Sequence, residues 1–128
     1  MRMIFVNLPV KDLDASTAFF GDLGFEFNPD FTDEDAACMI VDENIFVMLL
    51  VEARFRDFIN GDIADASATE AITALSVDSR EQVDETIAKA VAAGGKPWKP
   101  SMDEGPMYGG SFQDLDGHVW ELIYMEQP

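Results

Sequence analysis

SFQDLDGHVWELIYM, residues 111–125, is the stretch from which the fold is read. Residues 112–114 form an incoming strand, Asp116-Gly117 supply turn chemistry, and 119–125 form the outgoing strand of a β-hairpin. Alternation along the outgoing strand places Trp120, Leu122 and Tyr124 on one face and Val119, Glu121 and Ile123 on the other. Glu121 is therefore a carboxylate between apolar neighbours on its own face. A buried, unpaired carboxylate is costly. Either this face has a use for Glu121 or it is open to water, and the hairpin alone leaves both readings open.

Upstream of the hairpin the chain falls into two similar halves. Residues 4–10 alternate as a strand, and Asp12 is placed to cap a helix over 13–23 whose Leu13, Phe19, Phe20 and Leu23 gather on one side. Gly24 suits its C-terminal end. Short strands are predicted at 25–27, 36–41 and 45–51, the last two joined by Asp42-Glu43-Asn44. A short helix around 53–59 and an Asp-rich, small-residue connector at 60–69 follow. The pattern then begins again. Residues 71–77 form a strand, Ser79 with Gln82 is a capping-box signature, and Val83, Ile87, Ala90 and Val91 make an apolar stripe ended by Gly94-Gly95. A strand at 96–99, a loop with Pro100, Gly105 and Pro106, and the hairpin complete the second half.

Each half reads βαβββ. Leu8-Pro9-Val10 precedes the first helix as Leu75-Ser76-Val77 precedes the second, and VDENIFVMLL (41–50) aligns without a gap with LDGHVWELIY (115–124), making Val47 the counterpart of Glu121. The expected fold is α+β: one domain over residues 1–128 built from two βαβββ modules, about 1–59 and 70–128. Two half-open mixed sheets form a cup, with helices on the convex face and the concave face left for a ligand.

Composition narrows the function. There are 25 acidic against 8 basic residues, a net charge of −17, which repels nucleic-acid phosphates and anionic membranes. No apolar run approaches the roughly 18 residues of a membrane span. The N-terminus moves directly into a strand pattern with no signal-peptide layout, so a cytoplasmic location is expected. The single cysteine, Cys38, lies in the apolar run AACMIV and is expected in the core.

NLPVKDLDASTAFFGDLGF, ALSVDSREQVDETIAKAVAAGG and FQDLDGHVWEL together resemble the vicinal oxygen chelate superfamily, which contains glyoxalases, extradiol dioxygenases, and fosfomycin and bleomycin resistance proteins. The resemblance covers essentially the whole chain and implies the fold above and a homodimer. In metal-dependent members resembling glyoxalases, four inward-facing positions carry His and Glu ligands. Those positions fall here on Phe5, Val47, Ile72 and Glu121, of which only Glu121 ligates divalent ions. Dioxygenases of this kind need two histidines and a carboxylate. This chain has one histidine, His118, in the hairpin turn, where the family pattern commonly has a residue that is not a ligand. Three or four protein ligands hold Zn, Ni or Fe. No resident metal or other cofactor is therefore expected, a weak Mg or Mn site at Glu121 completed by a substrate's oxygens being the one metal chemistry left open.

Without ligands the cup floor is apolar, as in a small-molecule pocket with a few placed polar groups. Glu121 and Asn7 are the candidate polar groups, and Phe5, Trp98 and Tyr108 the candidate aromatic walls, with Val47 and Ile72 between them. Trp120, on the helix-covered face, is read as core. Three functions are open. The first is a metal-free binding protein of the bleomycin-resistance kind, taking a small cationic or aromatic molecule. The second is a lyase, isomerase or epimerase with Glu121 as catalytic general base and Asn7 as oxyanion stabiliser. In the third, Glu121 pairs with a backbone or arginine group and there is no small ligand.

Overall fold

The structure, a computed structural model, describes residues 1–126, so the last two residues of the second expected module lie outside it. The chain divides into two compact units, the first Met1–Ile63 and the second from Ala64 onward, a boundary inside the expected connector.

In the first unit, strand β1 (Ile4–Val10) leads through helix α1 (Leu13–Asp22) to β2 (Glu26–Asn28), a 3-10 turn (Pro29–Phe31), β3 (Ala36–Asp42), β4 (Ile45–Val51) and a short helix α2 (Glu52–Arg56). Asp12 caps α1 as expected, its Oδ1 accepting from the Ala15 amide at 3.0 Å. Gly24, at φ +103°, lets the chain turn back after the helix. The sheet order is β1-β4-β3-β2, with β1 parallel to β4 and the other pairs antiparallel. α1 packs on β3 and β4 through Phe19 and Phe20, whose rings meet edge to face at 5.0 Å.

The second unit repeats the plan. β5 (Ile72–Ser76) leads through α3 (Arg80–Ala92) to β6 (Lys96–Pro97), β7 (Met102–Glu104), β8 (Met107–Gln113) and β9 (Val119–Met125). The order is β5-β9-β8-β6, with β5 parallel to β9 and β7 paired with β8. Ser79 Oγ accepts from the Gln82 amide at 3.1 Å, while the Gln82 side chain accepts from Asp78 rather than from Ser79. Val83 and Ala90 are buried as the stripe requires, whereas Val91 points outward. α3 lies close on β8 because Gly110 has no side chain: a Cβ there would stand 2.3 Å from Ile87 Cδ1. Trp120 and Leu122 are buried beneath this helix side and Phe112 stacks on Trp120, each fully buried large side chain being worth about 1.5–3 kcal/mol.

Three expectations need correction. β7 was not foreseen, and β8 begins at Met107, five residues before the incoming strand read from the sequence. Gly105, Pro106 and Gly109-Gly110 disguise both as loop, because glycine and proline weaken a strand reading. The third concerns the internal alignment. The two hairpins have loops of different length, Glu43-Asn44 against 114–118, and the β3–β4 register shifts between Ile40 and Asp42. An ungapped alignment therefore slips by one residue on the last strand, and a one-residue slip exchanges the two faces.

Candidate functional site

That slip decides which side chains line the open faces. Phe5 pairs with Phe46 in the first unit as Ile72 pairs with Val119 in the second. Two residues further on, Asn7 pairs with Met48 and Ala74 pairs with Glu121. Met48, not Val47, is thus the counterpart of Glu121. Val47 is 1% exposed and alternates with the cavity-lining Phe46 and Met48, so its side chain belongs to the opposite, covered face.

The open face of the second unit carries a cavity of about 220 Å³ lined by Ile72, Trp98, Lys99, Pro100, Met102, Met107, Gly109, Gly110, Ser111, Val119, Glu121 and Ile123. The alternation along β9 read from the sequence puts Val119, Glu121 and Ile123 there. β5 contributes Ile72, and the β6–β7 segment contributes Trp98 and Met102 as a side wall. Glu121 is half-buried between Ala74 on β5 and Ser111 on β8. Ser111 Oγ accepts from the Lys99 amide at 3.2 Å, leaving its own hydroxyl proton able to donate. Among the described residues the Glu121 carboxylate has no hydrogen-bond or ion-pair partner, so the reading in which a backbone or arginine group holds it is set aside.

Tyr108 does not belong to this wall. Even-numbered residues of β8 face α3, and the Tyr108 hydroxyl bonds Asp84 Oδ1 on that helix at 2.7 Å, with the Arg80 guanidinium 5.2 Å from its ring. The Asp84 bond raises the Tyr108 pKa above its ordinary value. The glycines after Tyr108 serve the helix contact and the cavity floor instead.

In the first unit a cavity of about 400 Å³ is lined by Met3, Phe5, Asn7, Asn28, Phe31, Cys38, Phe46 and Met48. Phe5 stacks on Phe46 with ring centroids 5.1 Å apart. The Asn7 amide donates to the Phe5 carbonyl at 3.3 Å. Cys38 is buried here, which pushes its thiol pKa up. Of the expected site residues, then, Ile72, Trp98 and Glu121 share one cavity, Phe5 and Asn7 share another, and Val47 and Tyr108 line neither.

The four family ligand positions now read Phe5, Met48, Ile72 and Glu121, still a single carboxylate. Among the described residues no three His, Cys, Asp or Glu side chains gather closely enough to hold a metal ion. This donor set does not fit the resident metal of the metal-dependent relatives.

The sequence missed one contact of consequence. His118 is buried in the hairpin loop, where its Nδ1 lies 2.6 Å from Glu70 Oε1 and its amide donates to Asp114 Oδ1. The pair fastens the start of β5 to the start of β9, just outside the cavity. The partners are 48 residues apart, and no motif spacing announces them.

The sequence profile described as bleomycin resistance protein-like N-terminal matches residues 2–42. No curated protein matches the chain. Among solved structures, the chain is similar to a hypothetical protein, SA1046, from S. aureus, at 26% identity and TM-score 0.83, with 97% of this chain and 94% of that one covered. It is also similar to a glyoxalase/bleomycin resistance protein/dioxygenase family enzyme from Burkholderia phytofirmans PsJN (17% identity, TM-score 0.80, 98% and 99% covered). A third is the fosfomycin resistance protein FosX from Listeria monocytogenes complexed with Mn(II) and sulfate (20%, TM-score 0.69, 96% and 89%). Among the described residues no helix is long and apolar enough to cross a membrane. The chain has the fold of the vicinal oxygen chelate superfamily over nearly its whole length, and residues 2–42 match the bleomycin-resistance-like N-terminal profile, as the resemblance in its sequence implied.

Proposed function

We propose that this is a small-molecule-binding protein that works without a resident metal, and that the cavity of its second unit takes a compact ligand with a cationic group. The observation that carries this reading is Glu121, a half-buried carboxylate with no partner among the described residues, set among Ile72, Trp98, Val119 and Ile123. Such a group gains most from a ligand that brings its own positive charge, since charge-assisted hydrogen bonds are about twice as strong as neutral ones. Trp98 offers a ring against which the ligand's apolar body or its cation can rest. At about 220 Å³ the cavity lies below the roughly 300–1,000 Å³ of drug-sized sites, which favours an aromatic or aliphatic amine over a large antibiotic.

A symmetric homodimer belongs to the same proposal. Large apolar side chains stand exposed on the open faces of both units, Phe5 and Phe31 in the first and Ile72 and Met102 in the second, as on surfaces that a partner covers. A cytoplasmic location accords with a single, buried, unpaired cysteine.

Benzylammonium titrated against Trp98 fluorescence tests the binding reading, with Trp120 as the buried, insensitive ring. Benzylammonium is expected to bind at least about tenfold more tightly than benzyl alcohol, and Glu121→Gln to remove that preference, as loss of one charged hydrogen bond requires. Equal binding of amine and alcohol, or a preference that survives Glu121→Gln, would overturn it. One observation favours a second reading. Ser111 stands directly opposite Glu121 in the β8–β9 register with a hydroxyl able to donate, so the pair can serve as general base and oxyanion donor in lyase or isomerase chemistry on a carbon acid. Under that reading Glu121→Gln abolishes turnover of the carbon acid while leaving its binding intact.

A further inference from the structure

One wall of the Glu121 cavity is a strap held from behind. Trp98, Lys99, Pro100 and Met102, four of the twelve lining residues, belong to the single segment that leaves β6 and ends in β7, so the shape of the cavity depends on where that segment lies. Its own attachments are slight. β6 is two residues long and β7 three, every residue of β7 is exposed, and β7 pairs with β8 alone among the described strands. Between them the Lys99 amide donates to Ser111 Oγ at 3.2 Å.

The register of β7 couples its two faces. Met102 stands opposite Gly109 and Asp103 opposite Tyr108, and residues paired in this way share a face of the sheet. Met102 is therefore on the cavity side with Gly109, and Asp103 on the α3 side with Tyr108. There Arg80, the first residue of α3, takes hold of the strap. Its Nη1 bonds Asp103 Oδ2 at 2.9 Å, its Nη2 bonds the Gly105 carbonyl at 3.1 Å, and its guanidinium lies 5.2 Å from the Tyr108 ring centroid. Successive residues of a strand point to opposite faces, so the grip on Asp103 also fixes Met102 against the cavity.

This grip is releasable. The Arg80 and Asp103 side chains are 36% and 60% exposed, so the ion pair is screened by salt and contributes little to the stability of the fold. A segment with few buried contacts opens locally while the rest of the structure stays folded.

We propose that residues 98–104 are a movable wall of the Glu121 cavity and that Arg80, acting through Asp103 and the Gly105 carbonyl, is the positioning residue that holds this wall closed. The role given to the closed wall, retention of a ligand at Glu121, rests on the binding reading above; the latch itself is read without any ligand.

Trp98 and the Lys99 amide report on the wall directly, with the buried Trp120 as internal reference. Acrylamide quenching of tryptophan fluorescence and amide exchange by NMR are measured on the intact chain without ligand. Arg80→Met is expected to raise Trp98 quenching and Lys99 exchange severalfold, to leave the β9 amides unchanged, and to weaken benzylammonium binding severalfold. Arg80→Lys, which keeps the charge but lacks the fork that reaches Asp103 and the Gly105 carbonyl together, should recover only part of the loss. Asp103→Asn releases the same latch from an exposed position on the strap and should match Arg80→Met. In 1 M NaCl, where screening reaches to about 3 Å, the parent should approach Arg80→Met while that variant stays unchanged. Trp98 quenching and Lys99 exchange that are the same in parent and both variants would overturn the proposal. So would exchange that rises equally in β5 and β9, which is loss of the fold rather than of the wall, or benzylammonium affinity indifferent to an opened wall. Failure of the binding reading looks different: the parent binds benzylammonium and benzyl alcohol equally, while the Trp98 and Lys99 responses to Arg80→Met still establish the latch.

Discussion

Asp114 shows how a single residue carries the hairpin from which the fold was read. It is 5% exposed, and its carboxylate accepts from Trp120 Nε1 at 2.9 Å and from the amides of Asp116 and His118 at 2.9 and 3.0 Å. Burial pushes its pKa above the ordinary Asp value, while the charge of His118 and the three donors pull it back down. A carboxyl whose folded pKa is raised contributes stability below its unfolded pKa, near 3.9, and that contribution is lost as pH rises through the raised folded value. Asp114→Ala should destabilise the protein by about 1–3 kcal/mol at neutral pH, because it removes the buried acceptor of the Trp120 indole and of two loop amides. It should also abolish the gain in stability on acidification across the window just above pH 3.9. Urea unfolding from pH 4 to 7 checks both, and a variant as stable as the parent with the same pH slope would remove Asp114 from the account. Asp116-Gly117 was legible as turn chemistry, whereas Asp114 was read as the end of the incoming strand and lies in the loop just after β8. The bond to Trp120 was not legible, because alternation assigns a face to an indole without naming the partner of its N–H.

At the scale of elements, strands and caps were legible to the extent that they depend on neighbours in sequence. β1, β4 and β9 have the bounds that alternation predicted, and Asp12 and Ser79 cap the helices that follow them. What depends on distant chain was not legible: β7, the start of β8, and the register of the last strand in the first unit. The consequence for the site is specific, since the slip assigned Val47 a cavity position that Met48 holds, and Tyr108 was counted as cavity wall although it faces α3. The packing of α3 on β8 offers an internal comparison. A Cβ at Gly110 would meet Ile87 Cδ1 at 2.3 Å and the stiff, buried Val83 Cγ1 at 3.2 Å, whereas one at Gly109 meets only the Leu122 carbonyl at 3.4 Å and Ile123 at 3.9 Å. Gly110→Ala should therefore destabilise by about 1–3 kcal/mol. Gly109→Ala, which lowers the entropy of the unfolded chain at little steric cost, should fall within about 1 kcal/mol of the parent. Equal effects of the two changes in urea titrations would mean that α3 does not sit on β8 as described.

At the scale of the whole molecule, the internal repeat was the most legible feature, because two copies of one element order leave few alternative folds. The repeat also explains why the site was harder to read than the fold. Both copies keep the alternation that builds a sheet with one covered and one open face, but they differ in what the open face presents: Phe5, Asn7, Phe46 and Met48 in the first, Ile72, Ala74, Val119 and Glu121 in the second. Of the two open faces, that of the second unit carries a carboxylate, Glu121, among apolar side chains, and that of the first carries Asn7 among apolar ones. Under the proposed function Glu121 is the anionic anchor for a ligand's cationic group. The most direct measurement is metal analysis of the protein purified without affinity tag or chelator, followed by calorimetric titration with Ni, Zn, Mn, Fe(II) and Mg. Substoichiometric metal as purified and no binding tighter than the millimolar range are expected, with Glu121→Gln indistinguishable from the parent. One tightly held ion per chain, lost in Glu121→Gln, would contradict it.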